Sequence, residues 1–349
     1  MLTKTVSPQG ALWTAGLAEF GQAANQADER AVFALYQARR PENTRRAQRA
    51  ALNLFAGFLR SQGVASGDLY ADPGAWQGMT WGLVEGFQRW LLAQGYSVKT
   101  VNDRVSVVKV YLSLANQAGL IPDSEILRLR NLRGFTRREA VETDLTRRKN
   151  GIQTRLGAKK AAATKISPDQ ARKLKAAHAP TPQGRRDALL MCLLLDHGLR
   201  VSEVVGLAAE NIDLEKKQMT FYRPKTGRVS KHTLRGRAWL CLVEYLEKDQ
   251  RAKSGPLLLA STKSGALIPG SGLTVRAANE RVKTLGLAIG LDQLSPHDCR
   301  HYGATQAGHD PKVSLAALMA WGGWESPTSA ARYIDRGEAD NDGVALGLE

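Results

Sequence analysis

Between residues 44 and 119 the apolar positions recur every three or four residues, the period of a helix with one buried face. Thr44 to Gln62 (TRRAQRAALNLFAGFLRSQ) interleaves arginines with such a stripe, which predicts a helix with Asn43 as its N-cap. The segment VASGDLYADPG interrupts the pattern. Trp81 to Gln94 and Ser97 to Gly119 predict two further helices, with Gly95 and Gly119 as stops, and a shorter helix follows Pro122. Together they predict a compact all-helical domain with basic faces over 25–135. Residues 1–24 predict a loosely ordered arm or a short extra helix.

The periodicity weakens after Arg128 and returns near Ile166. Ser167-Pro168 is an N-cap followed by proline at the first helical position, and helices are predicted over about 167–178 and 185–196. Gly198 ends one helix, and Ser202 with its neighbour Glu203 opens another. Gln218–Arg223 and Arg228–Leu234 then change to a strand-like pattern, joined by PKTG, which has turn chemistry. Helices dominate from there to the end. The fold class is therefore mainly α with a small β-sheet. The domains are an arm (1–24), a helical domain (25–135), a linker (136–165), a mixed α+β domain (166–336) and a tail (337–349).

Charge changes this picture most over the linker, where twelve cations face three anions between 128 and 165. That balance favours contact with phosphates over a merely solvated linker. The whole chain of 349 residues carries a net charge of +16, which favours a polyanionic partner, nucleic acid first. There is no apolar run of membrane-spanning length and no apolar core of a secretory signal near the start, so no membrane is expected. The three cysteines, Cys192, Cys241 and Cys299, form no CxxC pair. They argue against a disulfide framework or a zinc site and suit the cytoplasm.

Six residues carry candidate chemistry. Arg200 follows Gly198 at a helix–helix turn, and a planar guanidinium there can bind phosphate oxygens bidentately. Taken alone it is an ordinary surface arginine. Glu203, three residues on, can hold Arg200 or its backbone from behind, or simply complement the helix dipole. Lys225 sits at the tip of the predicted hairpin and can donate a proton to a leaving oxygen; Arg223, Arg228 and Lys231 lie close enough to compete for that assignment. Ser295 and Pro296 predict a helix start that puts His297 and Arg300 on one face, where both can reach one phosphate. His301 points elsewhere on that helix and suits a structural role. Trp324, nine residues before Tyr333, offers an indole N–H donor and a ring to pack against. Tyr333 lies in AARYID. A phenol with its pKa near ~10 is a weak nucleophile until cations around a phosphate activate it.

The blocks GLRVSE, PKTG, HDCRH and GGW…Y, in this order, resemble the tyrosine recombinase (phage integrase) family. The resemblance is specific over 166–336 and looser over 25–135, where it implies the family's helical core-binding (SAM-like) domain beside the mixed catalytic domain. It matches Arg200, Lys225, His297, Arg300 and Tyr333 to the family's two arginines, hairpin lysine, histidine and nucleophile. Trp324 falls where many members have histidine, though tryptophan also occurs there.

The resemblance implies a site-specific DNA recombinase that needs neither metal nor cofactor. Two domains close on duplex DNA as a C-shaped clamp, and Tyr333 forms a 3′-phosphotyrosine. Arg200 and Arg300 stabilise the phosphate charge, His297 moves protons on the nucleophile side, and Lys225 protonates the departing 5′ hydroxyl. The implied substrate is paired inverted-repeat sites held by a tetramer. Candidate DNA contacts are Arg45, Arg46, Lys99, Arg104, Lys109, Arg137, Arg138, Lys159 and Lys160. The rivals are a type IB topoisomerase-like relaxing enzyme, a non-catalytic DNA-binding protein of the same fold, and, more remotely, a basic RNA-binding helical protein.

Overall fold

The computed structural model describes residues 9–152, 163–176, 179–249 and 254–334. The chain divides into two compact units, Met1–Lys159 and Lys160–Glu349.

The first unit is helical: α1 (Gln9–Ala38), α2 (Glu42–Ser61), α3 (Trp81–Ala93), α4 (Val98–Gln117), α5 (Asp123–Asn131) and α6 (Arg137–Lys149). α1 runs unbroken through position 24, where the sequence suggests an arm giving way to the bundle. α2 begins at Glu42 rather than after Asn43. Pro41 takes the N-cap position, and its carbonyl accepts from the Thr44 and Arg45 amides at 2.9 and 3.0 Å. The Asn43 amide oxygen instead accepts from Arg46 Nη2 at 3.0 Å. Proline's fixed φ suits a helix entrance, and Glu42 in the first turn complements the dipole. α3 and α4 start on side-chain caps, Thr80 and Ser97.

An aromatic cluster forms the centre of this unit. Phe55 meets Phe87 at 5.0 Å and Trp76 at 6.0 Å between ring centroids, and Trp76 stacks towards Tyr111. The fully buried Trp76 indole donates to the Leu69 carbonyl at 2.9 Å, so its one polar atom is satisfied. Each such ring contributes ~2–3 kcal/mol on leaving water. α6, inside the basic stretch read as a linker, is fixed by a capping box between Thr136 and Glu139.

In the second unit come α7 (Pro168–Ala176), α8 (Pro182–Leu195), α9 (Val201–Val205), β1 (Ile212–Asp213), β2 (Gln218–Arg223), β3 (Arg228–Thr233), α10 (Gly236–Lys248), β4 (Leu259–Ser261), β5 (Leu267–Gly272), α11 (Val275–Leu287), α12 (Pro296–Gly308), α13 (Leu315–Gly322) and α14 (Pro327–Ala331). α8 is the axis of the unit. Every residue from Ala188 to Leu195 is buried, and α7, α10 and α12 pack around it. A helix apolar on all sides can only be stable in that position.

β1, β2 and β3 form one antiparallel sheet, with Tyr222 opposite Val229 and Arg223 opposite Arg228. β4 and β5 form a second antiparallel sheet, which the sequence did not single out within the stretch after residue 234 where helices dominate. The buried run Leu257-Leu258-Leu259 suits helix or strand alike, and Pro269 and Gly270 disguise its partner. In a two-stranded sheet both strands are edges, so proline is tolerated. No helix among the described residues is long and apolar enough to cross a membrane.

Candidate active site

α8 ends at Leu195 with Asp196 as its C-cap, three residues before the Gly198 stop suggested by the sequence; Gly198, at φ 57°, and the fully buried Leu199 form the corner that follows. Arg200, not Ser202, is the N-cap of α9. The reason is Glu203: one of its carboxylate oxygens accepts from the Arg200 backbone N–H at 2.8 Å and the other from Arg200 Nη1 at 2.7 Å. The glutamate therefore holds both the backbone and the side chain of Arg200 from behind. Glu203 is buried while Arg200 keeps 23% of its side chain exposed, so the guanidinium retains an open edge.

Ser295 caps α12, its hydroxyl accepting from the Asp298 N–H while Asp298 Oδ2 accepts from the Ser295 N–H at 2.9 Å. Pro296 follows at the first helical position. The cap places His297 in the exposed first turn and Arg300 one turn further in, where it is 5% exposed. Arg300 donates through Nη1 to the Gly198 carbonyl and through Nη2 to the Gly322 carbonyl at the end of α13. Burial, and next the charge of Arg200, push the Arg300 guanidinium down to about 10. It remains a cation at neutral pH.

The same guanidinium lies over the Trp324 ring, with its carbon 4.8 Å from the centroid. Trp324 stacks on Tyr333 at 5.3 Å and 30°. His301 meets Tyr333 edge-on at 5.0 Å, so the second histidine of the motif holds the tyrosine ring. Tyr333 itself follows α14 and is nine-tenths buried. Its backbone lies against the end of α12: a Cβ on Gly308 would stand 2.1 Å from the Tyr333 carbonyl oxygen. Only glycine permits that approach.

Arg300, Trp324 and Tyr333 are thus joined by direct contacts, while Arg200 and Glu203 pair on the corner whose Gly198 carbonyl Arg300 holds. His297 belongs to the same helix turn as Arg300. Lys225 is exposed in the four-residue loop between β2 and β3, two residues beyond Arg223.

Sequence reasoning missed Arg223. It is 1% exposed and sits among the residues named above, with Glu203 at 3.5 Å and the Trp321 and Gly322 carbonyls at 2.8 and 3.2 Å. The signal was present. Met219, Phe221 and Arg223 alternate along β2 on its buried face, so the strand phase places a cation inside. Buried charges need partners, and this one has them.

The predicted DNA contacts divide by exposure. Arg46 and Arg137 are exposed, and Arg138 pairs with Glu142 at 3.2 Å with most of its surface open. Arg45 pairs with Glu42 and Lys99 with Asp103. Exposed pairs of this kind are weak and open readily. Arg104 donates to the Ala47 carbonyl at 3.0 Å. Lys109 is half-buried and donates to the Leu132 carbonyl at 2.8 Å, and burial lowers its pKa. Lys159 and Lys160 lie outside the described residues, as does the tail from 335 onward.

The chain is similar to known proteins. The chain is 28% identical over 262 residues to the tyrosine recombinase XerC of Roseiflexus castenholzii, covering 74% of this chain and 72% of that one. It is 34% identical over 139 residues to XerD of Neisseria meningitidis serogroup B, covering 38% and 45% respectively. Among solved structures, a fragment of the Tn1549 transposon integrase with transposon right-end DNA superimposes with a TM-score of 0.60 at 14% identity, over 89% of this chain and 96% of that one. A lambda integrase dimer on a core site gives 0.56 at 14% identity, over 99% and 85%. At such identity the structures speak for the fold. The sequence profile of the phage integrase family matches residues 164–339, the stretch that holds Arg200, Arg300, Trp324 and Tyr333 together, and the chain belongs to that family.

Proposed function

We propose that this chain is a site-specific DNA recombinase that cleaves and rejoins duplex DNA through a 3′-phosphotyrosine at Tyr333. The observation that carries the reading is the contact series Arg300–Trp324–Tyr333, with Arg200 on the neighbouring corner. A scissile phosphate bound by the open edge of Arg200 lies within the field of Arg300 and beside the phenol.

Tyr333 attacks phosphorus in line. The bond from phosphorus to the phenolic oxygen forms and the bond to O5′ breaks. The phenol proton leaves on the His297 side, and Lys225 gives a proton to the departing O5′. Arg200 and Arg300 meet the charge that grows on the non-bridging oxygens. Trp324 presents an indole N–H to the phosphate and keeps the tyrosine ring in place. The ester energy is stored in the phosphotyrosine, so a 5′ hydroxyl from a second duplex can reseal the strand without ATP.

The helical unit and the basic stretch after it grip the DNA backbone, with Arg46, Arg137 and Arg138 as the open cations. The substrate is a pair of inverted-repeat sites brought together by a tetramer in the cytoplasm. A nicked suicide substrate, which loses the leaving strand after cleavage, tests the reading. Wild type accumulates a covalent protein–DNA adduct and Tyr333→Phe gives none. An adduct with the phenylalanine variant would remove Tyr333 from the role. Relaxation of supercoiled DNA without sequence preference would favour the topoisomerase-like reading instead.

A further inference from the structure

Arg223 meets polar partners inside the protein through all three of its nitrogens, with 1% of its surface exposed. Nε donates to Ser230 Oγ at 2.6 Å. Nη1 donates to the Gly322 carbonyl at 3.2 Å and faces Glu203 Oε2 at 3.5 Å. Nη2 donates to the Trp321 carbonyl at 2.8 Å and lies 3.3 Å from His232 Nε2. A guanidinium used in this way has nothing left for a phosphate.

Its partners fall into three groups. Ser230 and His232 belong to β3, the strand that leaves the hairpin tip. Glu203 is the carboxylate that holds Arg200, and Gly322 offers the carbonyl that also holds Arg300. Gly323, at φ 61°, carries the chain past the guanidinium, and a Cβ there would stand 2.6 Å from Arg223 Cδ. The backbone is thus shaped around this side chain. Arg223 is also the last residue of β2, and its carbonyl closes the loop by accepting from the Thr226 and Gly227 amides at 3.1 and 2.9 Å.

We propose that Arg223 is a positioning residue for strand cleavage: it ties the base of the β2–β3 hairpin to the frame that holds Arg200 and Arg300, so that Lys225 is delivered to the phosphate those arginines bind. The inference rests on the reading of Lys225 as the proton donor to O5′. β1 pairs only with Gln218 and Met219 at the far end of β2, so towards its tip the hairpin is two-stranded and marginally stable by itself. The contacts of Arg223 at its root set where the tip stands.

The test uses the full chain and two nicked substrates, one with oxygen and one with sulfur at the 5′ bridging position. A thiol ionises near ~8.5, so a sulfur leaving group needs no proton donor at neutral pH. Lys225→Ala loses on the order of 100-fold or more in adduct formation with the oxygen substrate and recovers to within about tenfold of wild type with the sulfur substrate. Arg223→Lys shows the same pattern. Ser230→Ala, which removes one bond and leaves the charge in place, shows it at about three- to tenfold. If the lysine variant does not fold, the serine variant decides the matter. Equal losses on the two substrates, or no loss on either, would overturn the role of Arg223. Failure of Lys225→Ala to recover on sulfur would instead bring down the proton-donor reading, and the inference with it.

Discussion

The rings of Trp324 and Tyr333 stack with centroids 5.3 Å apart, so the proposed nucleophile rests on an indole that itself lies under the Arg300 guanidinium. An aromatic pair is worth ~1 kcal/mol beyond its buried area, about fivefold in rate if it is spent on orientation. Trp324→Ala should slow adduct formation by at least that factor with little change in DNA affinity. Trp324→His keeps a flat ring and an N–H, and should fall between the two in single-turnover rate.

Gly308 sets the distance between the end of α12 and the Tyr333 backbone. Gly308→Ala forces the two apart, because the added carbon meets a carbonyl oxygen rather than a flexible side chain. The expected cost is ~1–3 kcal/mol of stability. Cleavage should fall further than the melting shift accounts for, as a suicide-substrate assay below the transition temperature would show.

Glu203 faces Arg200 at 2.7 Å and Arg223 at 3.5 Å. Glu203→Gln removes the buried anion between two cations. Leaving such charge uncompensated costs ~3–5 kcal/mol. Chemical denaturation should report this loss, and cleavage should drop even where the variant is fully folded, since Arg200 loses its support. Arg200→Ala should keep most of its DNA affinity while losing cleavage.

His197 and His232 lie near each other, their rings 5.7 Å apart. Burial lowers His197 to about 4, against the opposing pull of Asp196. Burial, then the charges of His197, Arg223 and Arg300, lowers His232 to about 3, against the Trp321 backbone. Both rings are easier to protonate in the unfolded chain, where the pKa is ~6.5. Their neutral forms are therefore fully compatible with folding above pH ~6.5. Stability falls as the pH drops from there towards the folded values, by up to ~1.4 kcal/mol per unit per ring. Urea titrations at pH 7, 6 and 5 should show the slope, and His197→Asn should flatten part of it.

Lys109 and Arg138 separate packing from phosphate contact. Lys109 serves the Leu132 carbonyl, whereas Arg138 is held only by an exposed pair. Arg138→Ala should reduce the salt dependence of DNA binding by about one phosphate contact. Lys109→Met should leave that dependence unchanged and alter thermal stability instead.

Much of this architecture is visible in local signals. The Ser295-Pro296 cap, the strand pair about PKTG and the buried stripe of α2 follow from one turn or one period of sequence, and these elements lie where those signals put them. The β4–β5 hairpin is hidden because a short leucine run suits either structure and its partner carries proline and glycine. Asn43 loses the cap to Pro41 because a proline carbonyl can open a helix without a side chain. Arg223 looks like one of several hairpin cations. Its burial depends on carbonyls 98 and 99 residues away, which no local pattern displays. Arg200, Arg300 and Tyr333 lie in recognisable motifs, and Glu203 is near enough in sequence to be read with Arg200, while the holding role of Arg223 is specified only by the fold.

The backbone N–H of Thr164 donates to Asp298 Oδ1 at 3.0 Å across 134 residues of sequence, and the other oxygen of that carboxylate caps α12. The helix carrying His297 and Arg300 is thus latched by the strand of chain that enters the domain. This contact spans most of the unit's sequence, whereas the Ser295–Asp298 cap is local to the helix. The first turn that carries His297 is therefore fixed from two distant parts of the unit's sequence, once by its own cap and once by the segment that enters the unit.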